Sequence, residues 1–99
     1  MSNIKIDYER ANELAEKFNS ISNPNRIIIL DALDSEENGL SVNDLHRKLK
    51  IDQPIVSHHL QILKDKGIVG FRHVGRNKCY YVKNEALQKI LDWAEMFNF

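Results

Sequence analysis

Residues 41–82, SVNDLHRKLKIDQPIVSHHLQILKDKGIVGFRHVGRNKCYYV, hold two short helical segments separated by a few residues and followed directly by two strand-like runs. Ser41-Val42-Asn43-Asp44 has the S-x-x-D form in which a hydroxyl and a carboxylate cap each other's backbone amides, and it opens a helix through Leu45 and Leu49. Asp52 stands where a cap is needed for the next helix, and Pro54 lies in its first turn, where no amide hydrogen is required. Gly67, after Lys64 and Lys66, supplies a left-handed stop with cations at the carbonyl end. Ile68 to Val74 and Lys78 to Val82 flank Gly75-Arg76-Asn77, residues suited to a tight turn, so a hairpin is expected with Tyr80 and Val82 facing the core.

Outside this stretch the period is helical. Tyr8, Ala11, Leu14, Ala15 and Phe18 form an apolar stripe over Asp7 to Asn19, with acids opposite. Asn23-Pro24 is a start signal for a second helix, whose Ile27, Ile28, Leu30 and Leu33 are expected at the buried centre. From Glu85 onward Leu87, Ile90, Leu91, Ala94 and Phe97 make one stripe, with Trp93 and Met96 beside it. The expected fold is mainly α with a small β-hairpin, a winged helix-turn-helix of order α-α-α-α-β-β-α. It forms one domain over 1–99, with the helix-turn-helix at 41–66, the wing at 68–82 and outer helices at 7–20 and 85–97.

Ninety-nine residues bury only a modest core, so a partner chain would help to stabilise the domain. No apolar run approaches the roughly 20 residues of a membrane span. The start shows neither a basic segment nor an apolar export core, so the cytoplasm is the expected location and no membrane is expected as partner. Cys79 is the single cysteine, which excludes an intramolecular disulfide and a four-thiolate zinc site. The net charge is zero, yet residues 41–83 carry nine Lys/Arg against three acids, a local excess of +6, while residues 1–40 hold −4 and residues 84–99 hold −2. All four histidines lie in the cationic middle, where imidazoles can add charge near phosphates. This is the charge distribution of a chain that meets nucleic acid.

Val56, Leu60 and Leu63 fix the packed face of the helix at 53–66. Gln53, Ser57 and Gln61 form a row on another face, and Pro54, His58 and Gln61 the adjacent one. Gln, Ser and His are side chains that reach base edges, and a helix presenting them fits a major groove with its amino-terminal half leading. Arg72, His73, Arg76 and Lys78 surround the hairpin tip, where flexible cations give affinity and register rather than sequence discrimination. A polar stripe is ordinarily a solvated face, and a basic hairpin ordinarily plain surface. The ordered combination of capped helix, short turn, capped helix and basic hairpin is what points to double-stranded DNA as partner. The expected DNA-binding residues are Gln53, Pro54, Ser57, His58, Gln61, Arg72, Arg76 and Lys78.

The string Val56-Ser57-His58-His59-Leu60-Gln61-Ile62-Leu63-Lys64-Asp65-Lys66-Gly67-Ile68-Val69, then Arg72, Gly75-Arg76 and Tyr80-Tyr81-Val82, resembles the ArsR-type (ArsR/SmtB) winged-helix transcriptional repressors. Asn23-Pro24-Asn25-Arg26 with its Ile/Leu run resembles that family's second helix, and the likeness covers residues 8–97. The resemblance implies a homodimeric repressor on a two-fold symmetric operator, joined through its first and last helices. Ala11, Leu14, Phe18, Leu87, Ile90, Leu91, Ala94 and Phe97 would then lie at the interface. It also implies an effector that releases DNA, commonly a metal ion. The positions matching the arsenic and cadmium sensors' cysteine pair are Ser41 and Asn43, and the last helix has no histidine, only Asp92 and Glu95. No metal and no cofactor are therefore expected, and the effector is left open.

Cys79 reads as an inert packed thiol, His46 as a surface residue near the DNA backbone, His59 as polar support beneath the reading face, and Glu36 and Glu37 as solvated loop charge. An alternative is a winged-helix module for protein interaction or non-specific nucleic-acid binding. An enzyme is disfavoured, because His58-His59 has no nearby nucleophile and there is no glycine-rich phosphate loop.

Overall fold

The computed structural model describes residues 6–83 and 85–96. The element order is α1 (Tyr8–Ile21), α2 (Pro24–Asp34), β1 (Leu40–Ser41), α3 (Val42–Leu49), α4 (Gln53–Asp65), β2 (Val69–Val74), β3 (Asn77–Val82) and α5 (Glu85–Met96). The winged helix-turn-helix expected from the sequence is present, with one element added. β1 pairs with β3, Leu40 opposite Tyr80 and Ser41 opposite Cys79, which makes an antiparallel sheet of order β1-β3-β2. Ser41 ends this strand and also caps α3: its hydroxyl accepts from the Asp44 amide at 3.0 Å while the Asp44 carboxylate accepts from the Ser41 amide at 3.0 Å. The helix-turn-helix is thus tied to the wing by a strand only two residues long.

Local chemistry sets the other ends. Asn23 accepts from the amides of Asn25 and Arg26 ahead of Pro24. α3 stops at Lys50, which takes a left-handed φ of 57°, and the chain turns directly into α4. Asp52 does occupy the N-cap position of α4, but its side chain makes no capping bond; its backbone carbonyl accepts from Ile55 and Val56 instead. At the far end Gly67 has φ 72°, its amide bonds to the Lys64 carbonyl, and the Ile68 amide bonds to the Leu63 carbonyl, the paired closure of a Schellman stop. Lys17 of α1 donates to the Lys66 carbonyl at 3.2 Å, so an α1 ammonium joins the carbonyl end of α4.

The core is built from Ile29, Leu30 and Leu33 of α2, Leu45 of α3, Val56, Leu60 and Leu63 of α4, and Ile68, Val69 and Tyr80 of the wing. Each such side chain contributes roughly 1.5–3 kcal/mol by leaving water. Val82 packs against this cluster half-buried. The expectation for α2 needs correction: Leu30 and Leu33 are buried, but Ile27 and Ile28 each remain 45 % exposed and Ile29 takes the central place. These two isoleucines line an open groove with Ala32 and Leu49.

The outer helices divide their apolar residues. On α1, Tyr8, Ala11, Ala15 and Phe18 are exposed and Leu14 is half-buried, leaving an apolar face uncovered among the described residues. On α5, Leu87, expected at an interface, is instead buried in the chain's own core, where the helix packs against β3. The side chains of Ile90, Leu91, Ala94 and Trp93, and Phe97 altogether, lie outside the described residues.

Candidate nucleic-acid interface

α4 buries Val56, His59, Leu60 and Leu63 and leaves Gln53, Pro54, Ser57, His58 and Gln61 exposed. At 100° per residue, Pro54, His58 and Gln61 stand opposite the packed face and Ser57 beside them. Gln53 lies on the flank toward α3, where its Nε2 donates to Asn43 Oδ1 at 2.8 Å. Gln61 Nε2 donates to Asp65 Oδ1 at 2.9 Å, which orients that amide along the helix. All five α4 residues expected to read DNA are therefore accessible and belong to one rigid element.

The helix is anchored from below. Arg26 of α2 donates from Nε to His59 Nδ1 at 3.2 Å and from Nη1 to the Ser20 carbonyl at 3.0 Å, so one guanidinium joins α1, α2 and α4. His59, 7 % exposed, must keep Nδ1 unprotonated to accept this bond. Burial first, then the Arg26 charge and then His58, hold its pKa below the ordinary imidazole value. An imidazole depressed in the fold binds its proton first in the unfolded chain. Its contribution to stability is therefore complete above the unfolded value of about 6.5 and is lost as the pH falls through the lower folded value. Urea unfolding of the wild type between pH 8 and pH 5 is expected to show this loss, and His59→Gln, which keeps an acceptor but no titrating group, to flatten it. Parallel curves for the two proteins would remove His59 as the cause.

His46 also departs from expectation. It is half-buried, and its Nδ1–H donates to the Ile51 carbonyl at 2.7 Å, bridging the turn between α3 and α4 rather than standing free at the surface.

The wing turns at Gly75-Arg76, with Val74 opposite Asn77 and Gly75 at φ 63°, the pattern of a two-residue turn with glycine first. Alternation along the strands places Phe71, His73, Lys78 and Tyr80 on the core face and Arg72, Cys79 and Tyr81 on the opposite one. Lys78 Nζ lies 4.1 Å from the centre of the Phe71 ring, Lys64 Nζ of α4 lies 5.0 Å from it, and the His73 ring meets it edge-on at 5.8 Å. Arg72, by contrast, stacks over Tyr81 at 5.2 Å and borders a pocket containing Asp34, Glu36 and Glu37. The structure thus brings Lys78 to the α4 side and leaves Arg72 on the other, with Arg76 at the tip. The glutamates expected as free loop charge are partly engaged: Glu36 pairs with Lys48 at 2.9 Å.

Two polar groups of this surface escaped the sequence reading. Asn43 looks like a helix-start residue, and only its distance to Gln53 reveals it beside the α4 face. Lys64 reads as a helix-end cation, although its i+7 spacing from Ser57 was available as a signal. Among the described residues no group of three or more His, Cys, Asp or Glu gathers as a metal site, and no helix is long and apolar enough to cross a membrane.

Comparison with known proteins gives this geometry relatives. The family model described as "Bacterial regulatory protein, arsR family" matches residues 23–70. The chain is 38 % identical over 85 residues to a transcriptional repressor SmtB homolog of Synechocystis, covering 86 % of this chain and spanning 63 % of that protein's length. It is also 38 % identical over 84 residues to an HTH-type transcriptional regulator of Methanocaldococcus jannaschii, covering 85 % of this chain and 90 % of that one. The crystal structure of NolR from Sinorhizobium fredii superposes with a TM-score of 0.81 at 28 % identity, over 98 % of this chain and 96 % of that one.

Proposed function

The chain belongs to the ArsR family of bacterial regulatory proteins, and from that membership we propose that it acts as a homodimeric repressor on an inverted-repeat operator. It is a winged-helix, DNA-binding transcriptional regulator. Two copies would join through α1 and α5 and lay their α4 helices in major-groove half-sites about one turn, roughly 34 Å, apart. The observation that carries this reading is the α4 front: Pro54, Ser57, His58 and Gln61 are exposed on the side opposite the core. The pairing of copies is supported by the uncovered α1 face, where Tyr8 and Phe18 lie 84 % and 48 % exposed.

In this reading Ser57, His58 and Gln61 contact base edges, Gln53 and Pro54 seat the helix start, and Arg76 and Lys78 contact phosphates. Arg72 stays with the wing as a flanking cation, its place on the face away from Lys78 limiting it to backbone beyond the half-site. The role is regulatory rather than catalytic and belongs in the cytoplasm, where DNA is met. No metal ion is assigned as effector, because Ser41 and Asn43 stand where related sensors place cysteines.

A titration of the protein against the DNA upstream of its own gene, beside a scrambled duplex at two salt concentrations, tests the reading. Operator preference with steep salt dependence is expected. Arg76→Ala should weaken both duplexes alike and reduce the salt slope by about 1.8, the share of one phosphate contact in each of the two copies. Steep salt dependence with no sequence preference would instead make the chain a non-specific nucleic-acid-binding module.

A further inference from the structure

We propose that Lys64, Lys78 and Phe71 form a two-pronged site for phosphodiester oxygens that joins α4 to the wing, a site that rests on the DNA-binding reading and gives it a backbone grip at a defined place. Two ammonium groups, one from α4 and one from β3, converge on a single aromatic ring at 5.0 Å and 4.1 Å. Like charges so gathered repel each other, and the negative ring face offsets part of this while leaving their outward N–H groups free. Neither lysine is met by a carboxylate: the three ion pairs among the described residues are Arg10–Glu13, Arg47–Asp44 and Lys48–Glu36. Asp65, the acid next to Lys64, already accepts from Gln61. An external anion is the partner that this arrangement lacks.

Position selects which anion. Lys64 lies two helical turns beyond Ser57 on the same face of α4, and Lys78 sits opposite His73 toward the tip of the wing. The pair therefore joins the last turn of the reading helix to the wing, so that a strand leaving the groove would carry its phosphates past both elements. Lysine is a point charge and suits phosphate oxygens without reading sequence. His73, edge-on to the same ring, offers a further donor. Phe71 is a positioning residue: half-buried against the core, it fixes where both ammonium groups hover.

The test is fluorescence anisotropy with a labelled operator duplex and a scrambled duplex of equal length, at several potassium chloride concentrations. Lys64→Gln and Lys78→Gln each remove one contact from both copies, and should each reduce the salt slope by about 1.8 on both duplexes and leave operator preference at its wild-type ratio. Phe71→Leu, which keeps apolar bulk but no ring face, should flatten the slope as well, and Phe71→Tyr should restore it. Wild-type slopes in both lysine variants, from a protein that still binds DNA, overturn the clamp alone; a wild type that binds no duplex overturns the DNA reading with it. A lowered unfolding midpoint in Phe71→Leu at unchanged slope would reduce Phe71 to packing. Inorganic phosphate, set against chloride at matched ionic strength, should displace no more DNA than chloride does. Displacement from the wild type but not from Lys64→Gln would assign the site to a free anion and overturn its assignment to the backbone.

Discussion

Alanine at Ser57 and His58 together leaves a protein that still holds duplex DNA but has lost most of its preference for operator over scrambled sequence. Both side chains are exposed on α4, and neither contributes to the buried cluster. Alanine is moreover a better helix former than serine or histidine, so the fold is expected to survive the change. What disappears is hydrogen bonding to base edges, worth about 1–3 kcal/mol for each well-made contact, or roughly 5- to 150-fold in discrimination per residue. The wing cations are untouched, so binding to the scrambled duplex should hold within a few-fold. Competition titrations with the two duplexes read the ratio directly. If the ratio in the double variant matched that of the wild type, the front of α4 would not be the reading face.

Among the four glycines, Gly39→Ala should cost the most stability. Gly39 sits at φ 79°, and a Cβ built there would meet the Tyr80 carbonyl oxygen at 2.5 Å, backbone that has no room to give. A left-handed alanine costs roughly 1–2 kcal/mol, and forcing extra bulk into a packed contact typically adds about 1–3 kcal/mol. A loss of about 2–5 kcal/mol is a large part of the roughly 5–15 kcal/mol that holds a domain of this kind together. The damage falls on the pairing of Leu40 with Tyr80 and of Ser41 with Cys79, and so on the capping box that starts α3. Gly75→Ala is the internal control: φ is 63°, but nothing lies within 4 Å of its new methyl, so only the conformational cost remains. Urea unfolding should separate the two by at least 1 kcal/mol, the steric part of the difference. Equal losses would show that the Gly39 approach to β3 does not matter.

Much of this architecture is legible before any coordinates, because its ends are chemically marked. Ser41 and Asp44 cap each other, Asn23 caps α2, and Gly67 closes α4, each as its sequence context implies. β1 is hidden for the opposite reason: two residues, Leu40 and Ser41, display no period, and the pairing is set by the return of β3 from far along the chain. The Ile27–Leu30 run is apolar at every position, so spacing alone could not tell that Ile29 and Leu30 turn inward while Ile27 and Ile28 face out. At the interface, helical geometry suffices to gather Pro54, Ser57, His58 and Gln61. The sequence of the wing shows cations around its tip, but only the register, Arg72 opposite Cys79 and His73 opposite Lys78, sends Arg72 and Lys78 to different faces. The two-residue length of the turn at Gly75-Arg76 is what decides this; a three-residue turn over Gly75-Arg76-Asn77 would have put Arg72 and Lys78 on one face.

In the proposed function two α4 helices, presented by paired copies, read one duplex together. Selection of binding sites from a random DNA library, by the whole chain at physiological salt, tests it most directly. The expected product is an inverted repeat whose half-site centres lie about 10–10.5 base pairs apart, bound by two copies of the chain. Enrichment of a single half-site occupied by one copy, or no enrichment at all, would contradict it.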